Sequence, residues 1–177
     1  AYRFVSVADA DRLRERILTR AAASALKGTV LLAAEGINLF LAGEPAALRG
    51  FVAWLREDTR FADLVPRESF SANLPFRRLI VKVKREIIRM NHPAIRPDAA
   101  RAASIDAHTL ARWLAQGRDD AGCELVTLDT RNAFEVDRGR FRGTVAWRLR
   151  SFGDFPQAAL AHLDTLRGQP VVSDCTG

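Results

Sequence analysis

Two cysteines, one tyrosine, one methionine and three histidines stand in a chain of 177 residues. Cys123 and Cys175 are too few for a disulfide framework or for a zinc site built of thiolates, and a reducing cytoplasm suits them best. His92, His108 and His162 are scattered and form no ligand pair at helical spacing, so no metal is assigned. No apolar run approaches the roughly 20 residues that cross a bilayer. The start, Ala1-Tyr-Arg-Phe-Val, lacks the basic-then-apolar pattern of a signal peptide, and the missing initiator Met points to a trimmed beginning. Apolar residues make up 48% of the chain, which argues against disorder and leaves room for one or two domains.

Lysine is scarce too, so the net charge of +6 is carried by arginine. Its distribution is uneven. Residues 1–100 hold 17 Lys and Arg against 11 Asp and Glu, whereas residues 101–177 hold 10 against 10. Within 77–96 lie Arg77, Arg78, Lys82, Lys84, Arg85, Arg89 and Arg96, with Glu86 the single acid. A basic stripe on an otherwise balanced chain fits a polyanion, although a solvated charged face is the plainer alternative.

Tyr2–Val7 reads as a strand. Asp9 or Asp11 can cap a helix with Leu13, Ile17, Leu18 and Ala21 on one side, ended by Gly28. Thr29–Ala33 reads as a buried strand, Glu35-Gly-Ile-Asn38 as a turn and Leu39–Leu41 as the return strand. Pro45 opens a helix in which Leu48, Phe51, Val52 and Leu55 share a face. Leu79–Lys84 alternates valine and lysine as a strand. This β-α-β-β-α-β order predicts a ferredoxin-like domain over 1–90. Residues 91–103, with Pro93 and Pro97, read as a linker. Beyond it, Ser104 or Asp106 caps a helix, Glu124–Asp129 and Pro170–Ser173 read as strands, and Phe155–Leu166 reads as a helix. The alternation predicts an α/β domain over 104–177 with a mainly parallel sheet, whose sites gather at the carboxyl ends of its strands.

Two constellations there carry chemistry. Cys175, directly after a strand and followed by Thr176 and Gly177, can be ringed by backbone N–H groups that favour a thiolate. A buried structural cysteine is the competing reading. Asp129, Arg131 and Glu135 can make a fork-shaped ion pair beneath an active site, with a structural Arg131–Glu135 pair as the simpler version. Cys123 has no basic neighbour in sequence and reads as structural or incidental.

Leu128-Asp-Thr-Arg-Asn-Ala-Phe-Glu-Val136 followed by Gly139-Arg-Phe-Arg-Gly143 resembles the first signature of a rhodanese domain. Phe152-Gly-Asp-Phe-Pro156 and Cys175-Thr-Gly177 sharpen the likeness, and Lys27–Asn38, with its Glu-Gly-Ile-Asn, supplies an amino-terminal half. Together they resemble the bacterial rhodanese-related family of tRNA uridine(34) hydroxylases, the UPF0176 group, over essentially the whole chain. Leu39-Phe40 and Trp147 depart from its usual residues. The family continues past Cys-Thr-Gly with Gly, Ile, Arg and a second Cys. The rhodanese-like domain is therefore expected to be incomplete at its active-site loop, which leaves open whether the chain by itself is active.

The resemblance implies an acylphosphatase-like (ferredoxin-like) first domain that binds tRNA and a rhodanese-like second domain. It implies hydroxylation of the wobble uridine of tRNA to 5-hydroxyuridine, with molecular oxygen as co-substrate, Cys175 as thiolate or persulfide, and no metal or flavin. Arg77, Arg78, Lys82, Lys84, Arg85 and Arg89 are the expected RNA contacts, and Asp129, Arg131, Glu135, Thr176 and Gly177 the expected support of the active loop. No membrane partner is expected, and oligomeric state is not legible. Two other readings remain: a rhodanese-type sulfurtransferase using the same cysteine, and an RNA-binding module without catalysis.

Overall fold

A computed structural model describes residues 1–90, 92, 95 and 102–175. The chain divides into two compact units, one built on Ala1–Ile88 and the other on the residues from Ala102 onward. Most of the predicted linker, namely residues 91, 93, 94 and 96–101, lies outside the described residues.

The first unit runs β1 (Tyr2–Phe4), α1 (Ala10–Ala23), β2 (Lys27–Ala33), β3 (Gly36–Ala42), α2 (Pro45–Arg56), a 3₁₀ turn at Thr59–Phe61, and β4 (Leu79–Val83). Leu13, Ile17 and Ala21 recur at four-residue spacing, so α1 buries one stripe. Asp9 sits at its N-cap but makes no side-chain cap bond; its carboxylate is taken by Arg60. The helix ends before Gly28: the chain reverses at Ala25, whose φ of 52° lets Leu26 N–H reach Ala21 O at 3.0 Å. Phe51 and Leu55 of α2, with Phe61 and Leu64 beyond it, meet the α1 stripe over Val30, Leu32, Ile37, Leu39 and Val81. Each such side chain contributes roughly 1.5–3 kcal/mol by leaving water. Both helices thus cover one face of a single sheet.

That sheet has the order β1-β3-β2-β4. β1 with α1 and β2 forms a split unit, in which β3 lies between the two strands that the helix joins and runs antiparallel to both. β4 departs from the expected ferredoxin-like pattern. There the fourth strand flanks the first and runs antiparallel to it; here β4 flanks β2 and runs parallel to it. The long connection 57–78 supplies the crossover that a parallel neighbour needs. Asn38 is also not a turn residue. The hairpin turns at Ala34 and Glu35, and β3 starts at Gly36.

The second unit runs α3 (Ala107–Gln116), β5 (Val126–Asp129), α4 (Ala133–Val136), β6 (Val145–Ala146), α5 (Phe155–Ala161), α6 (Leu163–Leu166) and β7 (Val171–Asp174), with a 3₁₀ turn at Phe152–Asp154. Asp106, not Ser104, caps α3, accepting from His108 N–H and Thr109 N–H at 3.0 Å each. The predicted helix over 155–166 is two helices that meet at His162. The sheet is parallel throughout, in the order β6-β5-β7. Among the described residues of this unit, Leu128, Val136 and Leu149 are the buried apolar ones.

Gly36 holds the first sheet's register. Its φ is +150°, and a Cβ there would stand 2.1 Å from the carbonyl oxygen of Arg3. Gly50, exposed in the middle of α2, has nothing within 4 Å of a built Cβ. Gly36→Ala should therefore destabilise the protein by about 2–4 kcal/mol, while Gly50→Ala should stabilise it by up to about 1 kcal/mol. Paired urea titrations check both signs.

Candidate active-site cluster and basic surface

The parallel register of β5 and β7 sets Asp129 opposite Asp174. Cys175 is the next residue, so it leaves the sheet at the carboxyl end of β7, where it is exposed. Thr130 fixes the spot. Its N–H and its Oγ1 both donate to Asp174 O, at 3.1 and 2.9 Å, so the peptide leading into Cys175 is held twice. Thr130 is buried and is not among the residues that sequence reasoning selects; the signal available is its place beside an acid at a strand end. Thr176 and Gly177 lie outside the described residues.

Asp129 is only 1% exposed, and a buried carboxylate needs a partner. Arg131 supplies it from two residues on. Nε donates to Oδ1 at 2.9 Å and Nη2 to Oδ2 at 2.7 Å, while Arg131 N–H donates to Oδ1 at 3.0 Å. Nη2 also donates to Gly139 O at 2.6 Å, tying this pair to the next loop. The fork pair is thus Arg131–Asp129 and not the expected Arg131–Glu135. Glu135 serves α4 instead. Its Oε2 accepts from Asn132 N–H at 3.1 Å and Nδ2 at 2.9 Å, closing a capping box on that helix. A residue two positions from Asp129 can share its turn, whereas Glu135 is carried off by the helix that starts between them. Gly139 and Gly143, at φ +140° and +79°, turn the loop that brings Gly139 O back.

The Arg131 guanidinium hydrogen-bonded to it holds the Asp129 carboxyl below the usual range. Asp174 moves the other way: burial and then the Asp129 charge raise it, opposed by Arg131 Nε at 3.9 Å. At this strand end there is thus a fixed anion–cation pair and a carboxyl that takes a proton more readily than usual. Cys123 is exposed, with its N–H bound to Asp119 Oδ1 at 2.8 Å, in the loop before β5 and so at the other end of that strand. Among the described residues no group of three or more His, Cys, Asp or Glu could hold a metal.

In the first unit Arg77, Arg78, Lys82, Lys84 and Arg85 are all exposed, as is Arg89, which falls outside that unit. Lys82 lies in β4, opposite Leu31, and out of phase with Val81, which is buried on the helix side. The sequence leaves the lysines' face open; the register puts Lys82 on the side away from α1 and α2.

A helix-covered sheet joined in sequence to a parallel α/β unit with a cysteine at a strand end defines a two-domain class. Residues 1–87 match the family model described as the UPF0176 acylphosphatase like domain. A tRNA uridine(34) hydroxylase of Bordetella pertussis is 63% identical over 177 residues, covering 100% of this chain and 72% of that protein. Proteins of the same name from Variovorax paradoxus and Delftia acidovorans are 59% and 57% identical, covering 100% and 99% of this chain and 67% of each relative. The chain belongs to the tRNA uridine(34) hydroxylase family, and its first domain is acylphosphatase-like. Among the described residues no helix is long and apolar enough to cross a membrane.

Because Asp129 is held ionised, its contribution to stability is complete above the ordinary carboxylate range and is lost as pH falls through its lowered pKa. Asp174 contributes in the opposite sense, its share being full below that range and lost as pH rises through its raised pKa. In Arg131→Gln the buried Asp129 loses its cation, and burial then pushes the carboxyl up. The acid-unfolding midpoint of this variant, followed by circular dichroism, should move to higher pH. Arg148→Gln, which breaks the exposed Arg148–Asp137 pair, should leave that midpoint in place.

Proposed function

We propose that the protein hydroxylates uridine 34 of tRNA to 5-hydroxyuridine, with molecular oxygen as co-substrate and Cys175 as the essential thiol. The observation that carries this reading is the likeness over the whole chain to relatives bearing that name, at 55–63% identity. The exposed position of Cys175 at a strand's carboxyl end supports it, because that is where parallel α/β sheets hold their chemistry. The second domain, 104–177, is rhodanese-like in this reading, and 1–90 is the tRNA-binding domain, with 91–103 as the linker between them. A cytoplasmic setting suits two exposed, unbridged cysteines.

The roles divide as follows from the chemistry. One oxygen atom enters the base and the other leaves as water, so two electrons and two protons must come from a reductant. Cys175, as thiolate or persulfide, is the nucleophile in this reading. Asp129, Arg131 and Glu135 keep the strand ends and α4 in place around it, and Thr176 and Gly177 complete the loop that presents it. Arg77, Arg78, Lys82, Lys84, Arg85 and Arg89 meet tRNA phosphates. The target base is reached in the single-stranded anticodon loop, where it can be splayed out.

A rhodanese-type sulfurtransferase would use the same exposed thiol but would not need the basic first domain. Full-length protein carrying Cys175→Ser should bind tRNA as before and restore no 5-hydroxyuridine to cells lacking the gene, as measured by mass spectrometry of tRNA nucleosides. Robust thiosulfate-to-cyanide transfer together with unchanged wobble nucleosides would favour sulfur transfer instead. Full complementation by Cys175→Ser would leave a non-catalytic RNA binder.

A further inference from the structure

The sheet face that looks away from α1 and α2 carries, beside the cations already assigned to phosphates, side chains to which no role has been given. Pairing register arranges them in rows. Phe40, Thr29 and Ile80 stand side by side in one, and Tyr2, Asn38, Leu31 and Lys82 in the next. Phe40 is 60% exposed and Tyr2 36%. Along the edge strand, Arg78, Ile80, Lys82 and Lys84 fall in one phase, since Gly28 N–H bonds Arg78 O and Lys84 N–H bonds Leu32 O, extending the ladder past both ends of β4. Arg78, Lys82 and Lys84 are exposed, and among the described residues none makes an ion pair with a carboxylate.

A single exposed phenyl ring needs no explanation. Its setting does. It projects from a sheet surface two strand spacings, about 10 Å, from a column of cations that make no ion pair among the described residues. One nucleotide and the reach of a lysine side chain span that distance together. A flat aromatic on an open sheet, with positive charge along one edge, suits a chain whose bases stack and whose backbone is anionic. A duplex would offer its phosphates but not its bases, and an acidic peptide would leave Phe40 without a stacking partner.

We propose that this face is a stacking platform for a single-stranded stretch of RNA, with Phe40 carrying a base and Arg78, Lys82 and Lys84 meeting the phosphates. The inference rests on the tRNA reading above for the identity of the nucleic acid, and it adds the aromatic contact and the strand state of what is bound.

Anisotropy titrations of the full-length protein with tRNA and with a short unstructured RNA oligonucleotide test it. Phe40→Ala should lower affinity for both by about tenfold, and Phe40→Leu, which keeps the bulk but loses the ring, should do the same. Phe40→Trp should retain binding, and its added fluorescence should be quenched by the oligonucleotide. Replacing Lys82 and Lys84 together by Gln should flatten the salt slope by about 0.7 per lost phosphate contact. Unchanged melting temperatures show that the surface alone was altered. Wild-type affinity of Phe40→Ala for both RNAs, or an unquenched Phe40→Trp, overturns the platform. If hydroxylation is intact in that case, only the platform falls. If Phe40→Ala weakens RNA binding but the wild-type protein forms no 5-hydroxyuridine, the platform stands and the enzymatic reading falls.

Discussion

Parallel strands cannot choose their register through a tight turn; it must come from what their ends and faces bury. In the second unit β5 and β7 are brought level by groups at their carboxyl ends. Thr130 grips the Asp174 carbonyl from β5's side, and Asp129 is held by Arg131 directly beneath. A slip of one residue that set Cys175 level with Asp129 would draw the sulfur into the sheet and away from the surface. The position of the thiol therefore depends on a buried carboxylate that is tolerable only while its guanidinium partner stays in place. The hydrogen bond from the same guanidinium to Gly139 O extends this dependence to the loop after α4.

The first unit solves a different problem. Its core lies entirely on one side of the sheet, under α1 and α2. The opposite side is thereby free to carry residues selected for something other than packing, and its content differs accordingly: rings and amides on β1 and β3, cations along β4. In the function proposed above, the two units divide labour between holding an anionic polymer and presenting a reactive sulfur.

Much of this is legible in the residues. Apolar spacing in α1 and α2, Pro45 at a helix start and the valine–lysine alternation of β4 each name a local structure whose cause is local. The strand-then-cysteine ending places Cys175 correctly at the end of β7 for the same reason. What the sequence does not disclose depends on the company an element keeps. The edge taken by β4 follows from how the connection 57–78 runs, and nothing in Leu79–Val83 encodes it. The partner of Arg131 is misassigned because spacing makes Glu135 and Asp129 equally reachable, and only the capping of α4 removes Glu135. Asp9 looks like a cap, and a distant Arg60 claims it. Thr130 escapes notice because a threonine beside an acid has many ordinary uses.

Arg14 crosses from α1 to donate Nε–H to the carbonyl of Val81, at 3.1 Å. That carbonyl belongs to an outermost strand, and an open acceptor there is an invitation for another copy's strand to dock. Capping it with a guanidinium, and lining the same margin with lysine, keeps the sheet from growing sideways into an aggregate. The margin proposed to meet a polyanion thus also has the features that blunt a sheet edge against self-association, and any change that makes it less positive would weaken both together.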